Sequence, residues 1–189
     1  MKNIVKLVLM FLLVGSLFSK EIEVKPELTQ FDILLKEYNN FTTEQMDTML
    51  LVYLFGEQHN LEWSLTAIAW EETKFGIFKV PVDTCKDYGL MKHNIYWFLK
   101  RNKIPDTIWN RSKYGTKLVI DDLYSLKESV KILRMGEKVK KSWESYRAVW
   151  GYYNSGTIYN DELGIQYGER IYQKVQVLKY VFKHRLKKL

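Results

Sequence analysis

The sequence predicts an all-α, or α-dominated, domain whose middle is loop-rich and holds at most a small β-hairpin. Apolar residues recur three and four apart in several long stretches, which is helical spacing. Only 10 Gly and 3 Pro stand against 13 Tyr and 6 Trp, so turn-formers are scarce and aromatics can line a core or a groove. The breakers gather in one region: Pro81, Asp83, Asp87, Gly89, Asn94, Pro105, Asn110 and Gly115 all lie between residues 77 and 119.

The elements follow in order. Lys2 and Lys6 precede an unbroken apolar run, Leu7 to Leu13, and the small residues Gly15, Ser16 and Ser19. That is the order of a secretory signal peptide, with cleavage expected after Ser19. Ile4 to Phe18 is shorter than the ~20 residues that span a bilayer, so an uncleaved anchor is the lesser reading. A first helix is expected over about Leu28 to Tyr38. A second starts near Thr42, where Thr42 and Gln45 fit a capping box, and runs through Met46, Met49, Leu50, Tyr53 and Leu54. A third covers about Leu61 to Phe75 and stops at Gly76 as its C-cap. The region 77–119 is read as loops, with a short strand or hairpin near Phe78 to Val82 and short helices around Tyr96 and Asp106. Periodicity returns from Asp121 to about Val139, with Leu123, Leu126, Val130 and Leu133 on one stripe. Ser142 reads as the N-cap of a helix through Trp143, Tyr146, Val149 and Trp150. A last helix covers about Asp161 to Lys183.

The 189 residues suit one domain, here 20–189 after the signal segment 1–19, and 47% apolar residues suffice for a core. Cys85 is alone and cannot form an intramolecular disulfide, so stability rests on packing. The formal charge is +7, or +5 without Lys2 and Lys6. A basic exported protein is drawn to anionic polymers such as the cell wall, and export argues against nucleic acid as partner. The terminal cluster Lys179, Lys183, His184, Arg185, Lys187 and Lys188 reads as a solvated helix end favoured by the helix dipole.

The third helix carries the chemistry. Leu61, Leu65, Ile68, Glu72 and Phe75 fall on one face, so Glu72 sits inside an apolar stripe near the helix end. Burial of a carboxylate favours its protonated form, as a general acid near neutral pH requires. Lysozyme keeps a glutamic acid protonated in an apolar pocket by the same device. Glu71 falls with Ser64, Ala67 and Lys74 on a more polar face, with Lys74 in reach as partner. On spacing alone a structural role for Glu72, paired with a core Arg or Tyr, is equally open. His59, His93 and His184 lack metal-ligand spacing and no phosphate-cradling Gly-rich loop is present, so neither metal nor cofactor is expected.

Four segments shift that balance. Ala67-Ile68-Ala69-Trp70-Glu71-Glu72-Thr73-Lys74-Phe75-Gly76 resembles the catalytic helix of the lysozyme-like lytic transglycosylases, whose acid is followed directly by Ser or Thr; Glu72 before Thr73 is the match. Asp87-Tyr88-Gly89-Leu90-Met91-Lys92-His93-Asn94 resembles the family's Asp-Tyr-Gly-Leu-Met-Gln-Ile-Asn segment. Tyr152-Tyr153-Asn154-Ser155-Gly156 resembles its Tyr-Asn-x-Gly segment. Tyr167 to Arg170, or alternatively Tyr172 to Val175, resembles its terminal Tyr-containing helix. The four occur in the family's order across about residues 61–177, and the second is most similar to small enzymes that accompany secretion or conjugation machines.

The resemblance implies a monomeric enzyme that cuts peptidoglycan glycan strands with Glu72 as sole acid/base and no cofactor. Thr73, Gly89, Leu90, Met91, Lys92, Asn94, Tyr153, Asn154 and either Tyr167 or Tyr172 would line the substrate site. Gly89 would let the backbone approach substrate. Leu90 and Met91 would wall Glu72 from water. The Tyr153 hydroxyl would orient Glu72 or a sugar acetamide. Asn154 would bind sugar or cap its helix, and Gly156 would serve the turn. Lys92 replaces the family's Gln, and His93 its Ile; Lys92 would either bind sugar oxygens or pair with Glu72 and lower its pKa. Asp83 and Asp87 lie near but receive no role from the resemblance. The competing readings are a hydrolytic lysozyme of the same fold, a non-catalytic wall-binding assembly factor, and a basic nucleic-acid-binding protein.

Overall fold

A computed structural model describes residues 28–81, 86–141, 145–156 and 162–184. The signal segment, Asp83, Cys85, the Ser142 cap with Trp143, Asp161 and the terminal Arg185, Lys187 and Lys188 lie outside the described residues. The described chain is helix-dominated, with one two-stranded sheet. We number its elements α1 Gln30–Asn39, α2 Thr43–Glu57, α3 Glu62–Thr73, β1 Asp87–Tyr88, β2 His93–Asn94, α4 Ile95–Arg101, α5 Ile108–Ile120, α6 Asp122–Val139, α7 Tyr146–Ser155 and α8 Glu162–His184.

α3 is the central helix. It packs on α2, α8 and α6, while α8 also packs on α1 and α7. Every residue from Ser64 to Trp70 is buried, so α3 has no polar face. This corrects the expected division of the helix: Ser64 and Ala67 are buried along with Leu65 and Ile68. The physical reason is that α3 is enclosed by neighbours on several sides, and Ser64 meets its need for a partner by accepting from Trp150 Nε1 at 2.9 Å. Around it, Tyr38, Phe41, Trp70 and Phe75 form an aromatic cluster with ring centroids 5.3–6.3 Å apart.

The expected capping box is present at α2, where Thr42 Oγ1 accepts from Gln45 N and Gln45 Oε1 accepts from Thr42 N. Gln45 is also buried, and its Nε2 donates to the carbonyl of Lys74 at 2.8 Å. This second bond braces the end of α3. That end is not the simple glycine cap expected: Lys74 is the C-cap at φ 49°, Phe75 follows at 58° and Gly76 at 104°. Two non-glycine residues held left-handed cost about 1 kcal/mol each, which buried Phe75 and the Gln45 bond help to offset.

The described part of the expected hairpin, Phe78 to Pro81, carries no strand, and Val82 lies outside the described residues; the hairpin forms at Asp87–Asn94. Its turn contains Gly89 at φ 83°, where a Cβ would stand 2.2 Å from the Leu118 carbonyl oxygen. Glycine is needed there for the close approach to α5. Gly115, expected to interrupt helix, lies inside α5, because the Tyr88 ring packs where its side chain would be. A small second core of Ile95, Phe98, Leu99 and Leu118 joins α4 and α5. On α6, Leu126 and Leu133 are buried while Leu123 is 46% exposed, so the predicted stripe starts one turn late.

Candidate active site

The C-terminal end of α3, the hairpin, α4, α6 and the end of α7 enclose a cleft of about 1120 Å³. Glu72 lines it, as the penultimate residue of α3 and two before the left-handed Lys74. Glu72 is half-buried at the cleft wall, and desolvation by this burial is the largest cause lifting its pKa from the ordinary carboxylate value to about 7. The Tyr167 hydroxyl donates to Glu72 Oε1 at 2.6 Å and opposes the rise by favouring the charged form. Glu71 and Asp87 add to the rise through their charge, and Lys92 reduces it through its own. The balance leaves a carboxyl able to hold or release a proton near neutral pH.

Of the two tyrosines left open by the sequence, Tyr167 is the one that bonds to Glu72. Tyr172 lies one turn and a fraction further along α8, packs on the main core, and carries the Arg147 guanidinium 3.7 Å above its ring. It is not brought to Glu72.

Glu71 has different partners from those expected. Lys74 pairs with Glu37 at 2.7 Å, whereas Glu71 is held by Arg170 Nε and Lys174 Nζ, both at 2.6 Å. These bonds hold its carboxyl below the usual range although burial works against them. Neighbouring glutamates are thus driven apart, one towards protonation and one towards permanent charge.

Several expected substrate-binding residues support the site from behind. Thr73 is fully buried, and its hydroxyl lies 2.9 Å from the Leu90 carbonyl and 3.2 Å from that of Ala69. It ties the acid helix to the hairpin and does not reach the cleft. Leu90 and Met91 are fully buried core residues. The Tyr153 hydroxyl donates to the Met91 carbonyl at 2.8 Å and meets Ser129 Oγ at 3.0 Å, so it anchors the hairpin rather than bonding to Glu72. Its ring, which lines the cleft, lies nearly parallel to that of Tyr167 with centroids 6.5 Å apart. His93 donates Nε2–H to the Ser125 carbonyl at 2.8 Å, and burial pushes its pKa down to about 4, so it is neutral.

Lys92, Asn94 and Asn154 do line the cleft. Lys92 reaches the Val80 carbonyl at 3.5 Å and forms no ion pair with Glu72; its charge is the smallest of the influences on that carboxyl. Asn94 caps α4 by accepting from Trp97 N, and donates to Asp87 Oδ1 at 3.0 Å. Asn154 is exposed, and the cap of α7 is Gly156 at φ 73°. Sequence reasoning missed Trp97, Lys100 and Arg101 as cleft residues and gave Asp87 no role. The signal for the first three was their i, i+3, i+4 spacing directly after the hairpin. Among the described residues, no group of three His, Cys, Asp or Glu side chains is placed to hold a metal ion.

Comparison of the chain with protein-family models, with curated proteins and with solved structures finds no match.

Proposed function

We propose that this chain is a peptidoglycan lytic transglycosylase of lysozyme-like fold in which Glu72 is the only general acid/base. One observation carries the reading: Glu72 faces a cleft of about 1120 Å³ with a pKa of about 7, set by burial and held by one hydroxyl donor. The four segments resembling the transglycosylases support the same assignment, since three of them supply Glu72, the hairpin and Tyr153 around a single cleft.

In the proposed reaction, protonated Glu72 gives its proton to the glycosidic oxygen between N-acetylmuramic acid and N-acetylglucosamine. The C1–O bond breaks, and the 2-acetamido group stabilises the electron-poor anomeric carbon. Glu72, now a carboxylate, takes the proton of the C6 hydroxyl, whose oxygen bonds to C1 and closes a 1,6-anhydro ring. Glu72 ends protonated, and water is not consumed. A group with a pKa near 7 suits both halves of this exchange. Tyr167 would steady the carboxylate between them.

A hydrolytic lysozyme is the second reading, favoured by Asp87, a carboxylate that shares the cleft with Glu72. Two carboxylates across the bond would allow water as nucleophile. The assembly-factor reading requires Lys92 to disable the acid, and the raised pKa of Glu72 speaks against it. The proposal includes export by the segment 1–19, action as a monomer on the glycan strands of the wall, and service to an envelope secretion or conjugation assembly. No helix among the described residues is long and apolar enough to cross a membrane.

The test is digestion of purified peptidoglycan by wild type, Glu72→Gln and Asp87→Asn, with products identified by mass spectrometry. Anhydro-muropeptides from wild type and Asp87→Asn but not Glu72→Gln are expected. Reducing ends that vanish in both variants would transfer the assignment to the hydrolase. Binding of the wall by wild type without any cleavage would overturn both.

A further inference from the structure

Besides Glu72, Asp87 and Lys92, the cleft is lined by two cations from the last turn of α4, Lys100 and Arg101. Trp97 is three residues before Lys100 and four before Arg101, so all three share a helix face. The Trp97 ring is 56% exposed and lines the cleft, with Lys100 Nζ 4.8 Å from its centroid. An exposed indole beside a cation offers a flat apolar platform with a charge at its edge.

Arg101 has donors to spare. Its Nε is buried without an acceptor among the described residues. Its nearest carboxylate, Glu128, stands 4.0 Å from Nη2, beyond hydrogen-bond distance. Glu128 is already engaged, accepting from Lys131 through Oε1 and from Asn102 through Oε2. Burial pushes the Arg101 pKa down, the mark of a guanidinium whose lost hydration is not fully replaced. A guanidinium in that condition gains most from a planar, bidentate anion. Lys100 is exposed, and no carboxylate among the described residues forms an ion pair with it.

We infer that Lys100 and Arg101, beside the Trp97 platform, form a carboxylate subsite, so that the preferred ligand is a carboxylate-bearing glycan strand and not a neutral one. The inference rests on reading the cleft as a glycan site. Two carboxylates on a peptidoglycan strand have the right chemistry: the free lactyl group of muramic acid where the peptide has been removed, and the carboxylates of the stem peptide where it remains. Neutral N-acetylglucosamine oligomers have neither.

Binding is measured with the full chain carrying Glu72→Gln, so that no ligand is consumed. Calorimetry compares three probes of equal sugar number: chito-oligosaccharide, peptide-free peptidoglycan strands, and strands with the stem peptide attached to the lactyl group. Tighter binding of at least one carboxylate-bearing probe than of the chito-oligosaccharide is expected. Added Lys100→Gln weakens that probe about tenfold, the size of one charge-assisted hydrogen bond, and leaves the neutral one within about twofold. Arg101→Lys tests the bidentate contact with charge retained, and should weaken the same probe. Preference for peptide-free strands identifies the lactyl carboxylate; preference for substituted strands identifies the peptide. Equal affinity for all three probes, or equal losses on all three in Lys100→Gln, overturns the subsite. Wall cleavage by wild type without such a preference sinks this inference alone, whereas a preference without any cleavage sinks the transglycosylase reading and leaves the subsite standing.

Discussion

The Tyr167 hydroxyl donates to Glu72 Oε1 at 2.6 Å across 95 residues of sequence. It joins α8, the last helix among the described residues, to the Glu72 carboxyl at the end of α3. The bond favours the carboxylate, so it restrains a pKa that burial alone would lift above about 7.

Tyr167→Phe should therefore raise the Glu72 pKa and move the alkaline limb of the pH–rate profile upward. Loss of one hydrogen bond to a charged group also predicts a rate at neutral pH about tenfold lower. The profile of kcat/KM against pH checks both. An unmoved alkaline limb would separate Tyr167 from the acid.

Glu72→Gln should keep the fold and remove cleavage, with a further signature in stability. The folded pKa of Glu72, about 7, lies above its ordinary 4.5. The folded state thus retains a proton that the unfolded chain has released. Ionising Glu72 costs stability as pH rises from about 4.5 to 7, on the order of 3 kcal/mol once complete. The variant lacks that cost. Its Tm should rise relative to wild type across this window, which thermal unfolding at about pH 4, 6 and 8 measures; a constant difference would mean that Glu72 is not buried as described.

His93 titrates with the opposite sign. Its folded pKa of about 4 lies below the ordinary 6.5. The stability it contributes is complete above about pH 6.5 and is lost as pH falls towards 4, again on the order of 3 kcal/mol. His93→Ile removes the group, while Ser129 Oγ, 3.1 Å from the Ser125 carbonyl, still donates to it. The variant should resist acid better than wild type in urea titrations at about pH 4, with the two converging above about pH 7.

Glu71→Gln is expected to destabilise the protein while sparing the chemistry. Lys174, 9% exposed, would lose its carboxylate and remain a largely buried cation. A loss of roughly 2–3 kcal/mol follows. Folded variant should retain its maximal kcat within about threefold, since the Tyr167–Glu72 bond is untouched, while loss of the Glu71 charge lowers the Glu72 pKa and shifts the pH profile downward. A large fall in kcat with unchanged stability would contradict this division of labour between the two glutamates.

Much of this was legible in the chain itself. Helical spacing and caps marked the main helices, and the 4, 3, 4, 3 pattern placed Glu72 among apolar residues, because those signals are local. Position 76 misled because φ > 0 is expected of glycine, yet here the left-handed turn begins at Lys74, held by Gln45 from another helix. The middle region misled because its breakers have tertiary partners: Gly89 admits Leu118, and Gly115 admits Tyr88.

The sequence by itself determined the helical class, the order of the elements and the presence of one carboxylate in an apolar stripe. Only the tertiary structure decided which tyrosine reaches Glu72, which cations neutralise Glu71, and that Thr73, Leu90 and Met91 stand behind the cleft. The physical reason is one of range. Periodicity and capping act within a few residues, whereas a pKa is set by whatever charge, donor or desolvating wall the fold brings near, and those groups are separated by tens of residues along the chain.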